Sequence, residues 1–144
     1  QRVWLELQSG RWGEITPFVV TPELLEAVKA AKRQEIEEWR TEQEAQPFIF
    51  EWNGHSWNGG PDSMARLYPM VMSAKSVTAR KTMVWCDAEN RQVQLSMQQL
   101  DELLTAMVQA QVDRNDEIYR RQRQMKDELN NLEDLKSVRN FVPE

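Results

Sequence analysis

The sequence is poor in the residues that build covalent links and metal sites: it has one cysteine, Cys86, and one histidine, His55, in 144 residues. A single cysteine cannot form a disulfide within the chain, which excludes a disulfide-stapled secreted scaffold and favours synthesis in a reducing cytoplasm. These two side chains also cannot supply the clustered ligands of a zinc site, so we predict no metal. Because the chain has no glycine-rich phosphate loop, we predict no cofactor either.

Long apolar runs and an excess of basic residues are also absent. No stretch approaches the roughly 18 apolar residues of a membrane helix, and the first residues show no signal-peptide pattern, so a soluble chain without a membrane partner is expected. Lys and Arg total 18 and Asp and Glu total 23, which gives a net charge of −5. Since nucleic acids attract basic surfaces, we expect no nucleic-acid partner.

A catalytic site would have to use His55, which follows an Asn-Gly turn and is expected to be exposed. The ring could pair with Cys86. However, the sequence offers no nucleophile elbow, no glycine oxyanion loop and no acid whose spacing would orient the ring. We therefore predict no catalytic residues and no enzyme activity.

The N-terminal third of the chain combines extended and helical signals. Residues 1–20 alternate apolar and polar side chains around a turn signal, which predicts a β arm or the end of a preceding domain. Residues 21–46 predict a long charged helix with Thr21 as N-cap and Pro22 at the first helical position. Its narrow apolar stripe indicates a linker or coiled-coil-like helix that docks or oligomerises through four residues: Leu25, Val28, Ile36 and Trp39.

Residues 47–144 predict an α+β domain that contains two hairpins. Aromatic and β-branched residues flank the dipeptide Asn53-Gly54, the strongest short-range signal for a tight hairpin. A short helix is predicted after Pro61, and residues 82–95 predict a second hairpin around a four-residue polar turn. We expect the two hairpins to form one small antiparallel sheet packed on the long C-terminal helix.

Two helices are predicted at the C-terminal end. Ser96 and Gln99 match a capping box, and neither Gly nor Pro interrupts the chain from Met97 to about Asn130. The heptad positions of this long helix are apolar in its first half and largely polar in its second, so a packed seam is expected only in the first half. A short terminal helix follows.

Six tryptophans are a high number for a chain of this length. Indole rings are common stacking surfaces for sugars, so Trp52 and Trp57, with Trp85, are the candidate platform for a glycan ligand. Indoles also fill the cores of small sheets that lack bulk. The core interpretation is favoured because a sugar site also needs several polar groups that converge beside the ring.

Five segments in a fixed order carry a resemblance to a known family. They are a helical run, an aromatic hairpin, the start of a short helix, a Trp-Cys-Asp turn and a helix cap, at residues 30–40, 48–57, 64–67, 84–90 and 93–96. Together they resemble the phage and prophage tail family called domain of unknown function 4376, over about residues 26–142.

The resemblance implies a structural or interaction module of a tail fibre or baseplate, with other phage tail proteins as partners. It also implies a place in the virion tail after synthesis in the host cytoplasm, and assembly as a homo-oligomer, with a trimer favoured. It supplies no catalytic residues. Two alternatives stay open: a tail-fibre assembly chaperone, and a glycan-binding tip that recognises a host-surface receptor.

Overall fold

The computed structural model describes residues 20–74 and 82–144. Apart from Val20, the arm predicted over residues 1–20 lies outside the described residues, as do residues 75–81. The described chain is α+β, as the sequence predicts, with a long N-terminal helix, two hairpins, a long C-terminal helix and a short terminal helix.

Helix α1 spans Pro22–Glu44. It begins where the sequence predicts because the Thr21 hydroxyl accepts a hydrogen bond from the Leu24 backbone N–H at 3.0 Å. Pro22 then occupies a position whose N–H would have no partner inside the helix.

The first hairpin consists of β1 (Phe48–Trp52) and β2 (His55–Gly59), paired antiparallel. Asn53 and Gly54 have φ values of 52° and 77°, the two positive values that the predicted two-residue turn requires. The first hairpin is therefore confirmed, including its turn.

The second hairpin consists of β3 (Thr82–Cys86) and β4 (Gln92–Ser96), and helix α2 (Pro61–Ala74) lies between the hairpins in the chain. Each hairpin is a separate two-stranded sheet, so the prediction of one shared sheet is wrong. Among the described residues, the backbone bond that joins the hairpins runs from the Ala88 N–H to the Ser56 carbonyl, at 2.8 Å. Because Ala88 lies in a turn, this bond cannot continue as a strand ladder.

Helices α3 (Met97–Asn130) and α4 (Leu135–Asn140) complete the described fold. The predicted capping box is present at the start of α3. The Ser96 hydroxyl accepts from the Gln99 backbone N–H at 3.1 Å, and the Gln99 side chain accepts from the Ser96 N–H at 2.9 Å.

Two buried clusters lie along α3. The hairpin cluster joins both hairpins, α2 and the first half of α3, through Trp57, Leu67, Val71, Leu95, Leu100, Leu103 and Met107. The helical cluster joins α1, the second half of α3 and α4, through Ile36, Met125, Leu129 and Val138. The fold therefore has a hairpin half and a helical half that share α3.

The second half of α3 is packed, contrary to the prediction from its heptads. Its buried residues are Ile118, Gln122, Met125 and Leu129. The heptads place Arg121 and Glu128 at the seam, but the buried residues are the next ones along the chain, Gln122 and Leu129. The physical reason is that a shift of one position brings Leu129 inward and leaves Glu128 in solvent.

Helix α1 is also not a free linker beside a separate domain at 47–144. It packs along α3 and α4, and its Ile36 is 0% exposed in the helical cluster. The boundary predicted at residue 46 therefore cuts through a shared core. Folding of 47–144 without α1 stays a prediction.

Candidate functional site

The carboxylate of Asp87, at the first position of the turn between β3 and β4, is buried and has several hydrogen-bond partners. Its side chain is 0% exposed. Asp is favoured at this position because its carboxylate can accept hydrogen bonds from the backbone that follows. Here Oδ1 accepts from the backbone N–H groups of Glu89 and Arg91, at 2.9 and 2.8 Å.

The second oxygen of the same carboxylate is held by two side chains. Arg91 Nε donates to Asp87 Oδ2 at 2.9 Å, and His55 Nδ1 lies 3.0 Å from it. His55 belongs to β2, so Asp87 ties the turn of the second hairpin to the first hairpin. The prediction that His55 is exposed is wrong, because its side chain is 29% exposed and paired.

The environment of Asp87 changes its acidity. Burial raises the pKa of the carboxyl, but the hydrogen bonds from Arg91, His55 and Glu89 outweigh burial and lower the pKa from 3.8 to about 2. The carboxylate therefore stays ionised at neutral pH and remains available to hold the turn.

A histidine oriented by a buried carboxylate also occurs in general-base sites. Among the described residues, the hydrogen bond of the His55 ring is to Asp87, and the ring lies 5.7 Å from the ring of Trp57. Cys86 is exposed, and no hydrogen bond joins its thiol to His55 in this part of the chain. The contact between His55 and Asp87 joins the first hairpin to the turn of the second hairpin.

A cleft of about 340 Å³ lies beside this turn. That volume is at the lower end of the range of small-molecule sites. The lining comes from β2, α2 and the second hairpin: Asn58, Ser63, Arg66, Val84, Trp85, Cys86, Asp87 and Asn90. The cleft is therefore polar, with one indole and one aliphatic side chain.

Arg66 brings positive charge to this cleft. It lies one turn after Ser63 on α2, and its Nη2 donates a long hydrogen bond of 3.5 Å to the Ser63 hydroxyl. No carboxylate within residues 20–74 and 82–144 pairs with it. Among the described residues, most of the guanidinium N–H donors of Arg66 therefore have no hydrogen-bond acceptor.

The four residues of the predicted interaction stripe lie on the face of α1 that packs within the chain. Ile36 is buried in the helical cluster, and Leu25, Val28 and Trp39 are half-buried against that cluster. The sequence identified the apolar face of α1, but α3 and α4 of the same chain cover it. That the stripe also meets another subunit stays a prediction.

The tryptophans of the predicted ligand platform belong to the hairpin cluster or pack against it. Trp57 is 1% exposed, and its Nε1 donates to the Trp52 carbonyl at 2.8 Å. A buried ring cannot stack on a sugar, so the platform prediction is corrected for Trp57. Trp52 is half-buried, with its ring 6.0 Å from that of Trp57, and Trp85 lines the cleft.

The sequence reasoning missed a polar network that joins α1 to α3. Gln122 is 2% exposed; it accepts from Arg40 Nη1 at 3.1 Å and donates to Glu37 at 2.8 Å. Lys126 also pairs with Glu37, and this hydrogen bond is the largest cause that lowers the pKa of the Glu37 carboxyl. Apolar periodicity could not find these residues, because all four are polar.

The Asp87 site was also missed, although a signal for part of it exists. An Asp at the start of a polar turn favours hydrogen bonds from the backbone N–H groups that follow it to its carboxylate. No local signal links this turn to His55, which is far away in the sequence.

Two further observations concern the described part of the chain. No group of three or more His, Cys, Asp or Glu side chains there is placed to hold a metal ion. None of the helices there combines the length and the apolar character that a membrane crossing requires.

Comparison with known proteins gives one match. The family model described as Domain of unknown function (DUF4376) matches residues 27–141, a range that includes most of α1, both hairpins and the helices up to α4. No curated protein and no solved structure matches the chain. Since the family model spans most of the sequence, the chain belongs to the DUF4376 family.

Proposed function

We propose that the protein is a non-enzymatic interaction module of a bacteriophage tail apparatus, where it docks on other subunits of a tail fibre or baseplate. The resemblance of its five sequence segments to tail proteins supports the phage assignment. The structural observation that supports docking is that large apolar side chains are exposed in neighbouring pairs on the helices of the hairpin half.

Two such pairs are present among the described residues. Tyr68 and Met72 of α2 are 54% and 47% exposed, and Val108 and Val112 of α3 are 41% and 54% exposed. The members of each pair are one turn apart and share one face of their helix. Single exposed apolar residues are ordinary, but pairs on rigid helices fit the apolar centre of a docking surface.

The charge around Val108 and Val112 indicates the chemistry of a partner. Over residues 97–117, α3 carries five exposed acidic residues: Asp101, Glu102, Asp113, Asp116 and Glu117. The basic residue of this stretch, Arg114, is engaged inside the chain, where it donates to the Gln43 carbonyl at 3.2 Å. A partner with apolar residues flanked by Lys or Arg complements this face, whereas a second copy of it would be repelled.

Self-association as a trimer is the second part of the proposal, and it uses the α2 pair. Helix α2 carries one acidic and one basic residue, Asp62 and Arg66. Like-charge repulsion therefore does not oppose contact between copies through Tyr68 and Met72.

Light scattering of the full chain over a micromolar concentration series tests self-association. We expect a trimer in the parent protein and dissociation in the double variant Tyr68→Gln, Met72→Gln. A strict monomer at every concentration would contradict this part of the proposal.

Binding to purified tail-fibre and baseplate subunits tests the α3 face. We expect the double variant Val108→Glu, Val112→Glu to lose binding, because it replaces the apolar centre of the docking surface with charged side chains that would lose their hydration on burial. Gln124→Glu, which adds a negative charge at an exposed position in the second half of the same helix, is the matched control. Unchanged binding by the double variant would show that the α3 face is not the docking surface.

Two alternative functions predict different results. A tail-fibre assembly chaperone would bind the fibre but be absent from purified virions, so detection of the chain by mass spectrometry of virions decides between a component and a chaperone. A glycan-binding tip requires a polar site with an accessible indole, and the cleft beside Asp87 is the place to test it.

A further inference from the structure

We propose that the cleft beside the Asp87 turn binds a small acidic sugar and that Arg66 holds its carboxylate. This site goes beyond the docking function proposed above and uses a different surface. Arg66 and Met72 are both on α2, but they project roughly 120° apart around the helix axis.

The charge balance of the cleft favours an anion. Asp87 is part of the lining, yet its two oxygens already accept hydrogen bonds from Glu89, Arg91 and His55. Its negative charge is therefore compensated within the turn. Arg66 has no such carboxylate partner among the described residues, and a guanidinium presents a planar set of donors that suits a carboxylate.

The rest of the lining matches a hydroxylated ring better than an apolar acid. The side-chain amides of Asn58 and Asn90 both donate and accept hydrogen bonds, as sugar hydroxyls do. The indole of Trp85 offers an apolar surface for the C–H face of a pyranose. Val84 is the aliphatic member of the lining, and a volume of about 340 Å³ suits a single sugar ring.

The binding groups are positioned before a ligand arrives. Asn90 has a φ of 63°, and its backbone N–H donates a hydrogen bond to the Asp87 carbonyl at 2.9 Å. The backbone of the turn therefore fixes the position of the Asn90 Cβ. Asp87 also holds this turn against β2, the strand that carries Asn58. Preorganised groups lose less conformational entropy when a ligand binds.

Nuclear magnetic resonance of the full chain, labelled with ¹⁵N, tests the site with glucuronate as the probe. We expect saturable shifts at Arg66 Nε–H, at the Trp85 indole N–H and at the side-chain amides of Asn58 and Asn90. The neutral methyl ester of glucuronic acid should shift these signals far less, because it lacks the charge that Arg66 recognises.

Arg66→Gln should weaken glucuronate binding by about tenfold or more, the size expected when one charge-assisted contact is removed. The side chain is exposed, so the variant should fold. Arg120→Gln removes the same charge from a distant exposed position of α3 and should leave the affinity unchanged.

Three results would overturn the proposal: equal binding of the ester, unchanged affinity in Arg66→Gln, or no saturable shift of the cleft signals. A blocked tripeptide with a free C-terminal carboxylate tests the other source of this anion. If the peptide binds in the cleft and glucuronate does not, the sugar assignment is wrong. Docking through Val108 and Val112 should be unaffected by Arg66→Gln, so failure here and failure of the docking proposal are distinguishable.

Discussion

Replacement of Ile36 by Ala tests whether α1 belongs to the core of its own chain. Ile36 is 0% exposed and packs against Met125, Leu129 and Val138. The change removes about three buried carbon atoms at ~0.8 kcal/mol each, or roughly 2.4 kcal/mol of transfer free energy. The cavity left behind brings such changes to about 2–5 kcal/mol. The better helix propensity of Ala offsets less than about 0.7 kcal/mol of this loss in stability.

We therefore expect Ile36→Ala to lower the free energy of unfolding by about 3 kcal/mol, a large part of the roughly 5–15 kcal/mol that a domain has. Urea unfolding of the full chain, followed by far-ultraviolet circular dichroism, measures this loss. Val112→Ala is the control, since Val112 is 54% exposed on α3 and its truncation should change stability by less than about 0.5 kcal/mol.

A cost below about 1 kcal/mol for Ile36→Ala would contradict the place of α1 in the core, because it is well below the range for a buried side chain. Unfolding should also be compared at two protein concentrations. If the stripe of α1 instead docked on a second chain, the parent midpoint would rise with concentration while the Ile36→Ala midpoint would respond less.

Three further predictions concern single positions. Ser96→Ala should cost about 1 kcal/mol in urea unfolding because it removes the cap of α3, and an unchanged stability would show that the capping box is not formed in solution. Gly60→Ala should cost about 1–3 kcal/mol, because Gly60 has a φ of +116° and an added Cβ would lie 3.0 Å from the Pro47 Cα; full stability would show that this geometry is wrong. Asp87→Asn should alter the acid dependence of stability: the lowered pKa of Asp87 contributes stability that is present above its ordinary value of 3.8 and is lost as the pH falls towards about 2. The stability difference between parent and Asp87→Asn should therefore shrink over that interval in thermal melts, and a constant difference would contradict the assignment.

Local signals in the sequence were sufficient for most elements of the fold. The Asn53-Gly54 turn, the cap at Thr21 and the capping box at Ser96 each depend on a few neighbouring residues, and all three are present. The arrangement of the two hairpins as separate sheets was not predictable in this way. The contacts that join the hairpins, from Asp87 to His55 and from Ala88 to Ser56, link residues with no local relation in the sequence.

The second half of α3 shows why a heptad count misled the prediction. Two polar residues, Gln111 and Arg114, interrupt the apolar pattern between the two clusters. Gln111 Nε2 donates to Asn115 at 2.8 Å, while Gln111 Oε1 and Arg114 Nε are buried without a partner among the described residues. Buried polar atoms of this kind cost about 1–3 kcal/mol each when no water reaches them. Beyond this layer Ile118 and Met125 keep the heptad register, whereas the buried Gln122 and Leu129 lie one position after Arg121 and Glu128. In this half α3 packs on α1 and α4 instead of on the hairpins and α2.

The contacts between α1 and α3 also argue that the stripe of α1 is specific to its own chain. The helices run antiparallel, since Lys29 Nζ donates to the Asn130 carbonyl at 3.0 Å and Arg114 Nη2 donates to the Gln43 carbonyl at 3.2 Å. Each helix thus places a cation at the C-terminal end of the other, where the backbone carbonyls lack helical partners and the helix dipole is negative. A second copy of α1 could cover the apolar stripe but could not supply Arg114 or the carbonyl of Asn130. Pairing with α3 therefore satisfies groups that a coiled coil of α1 would leave unpaired.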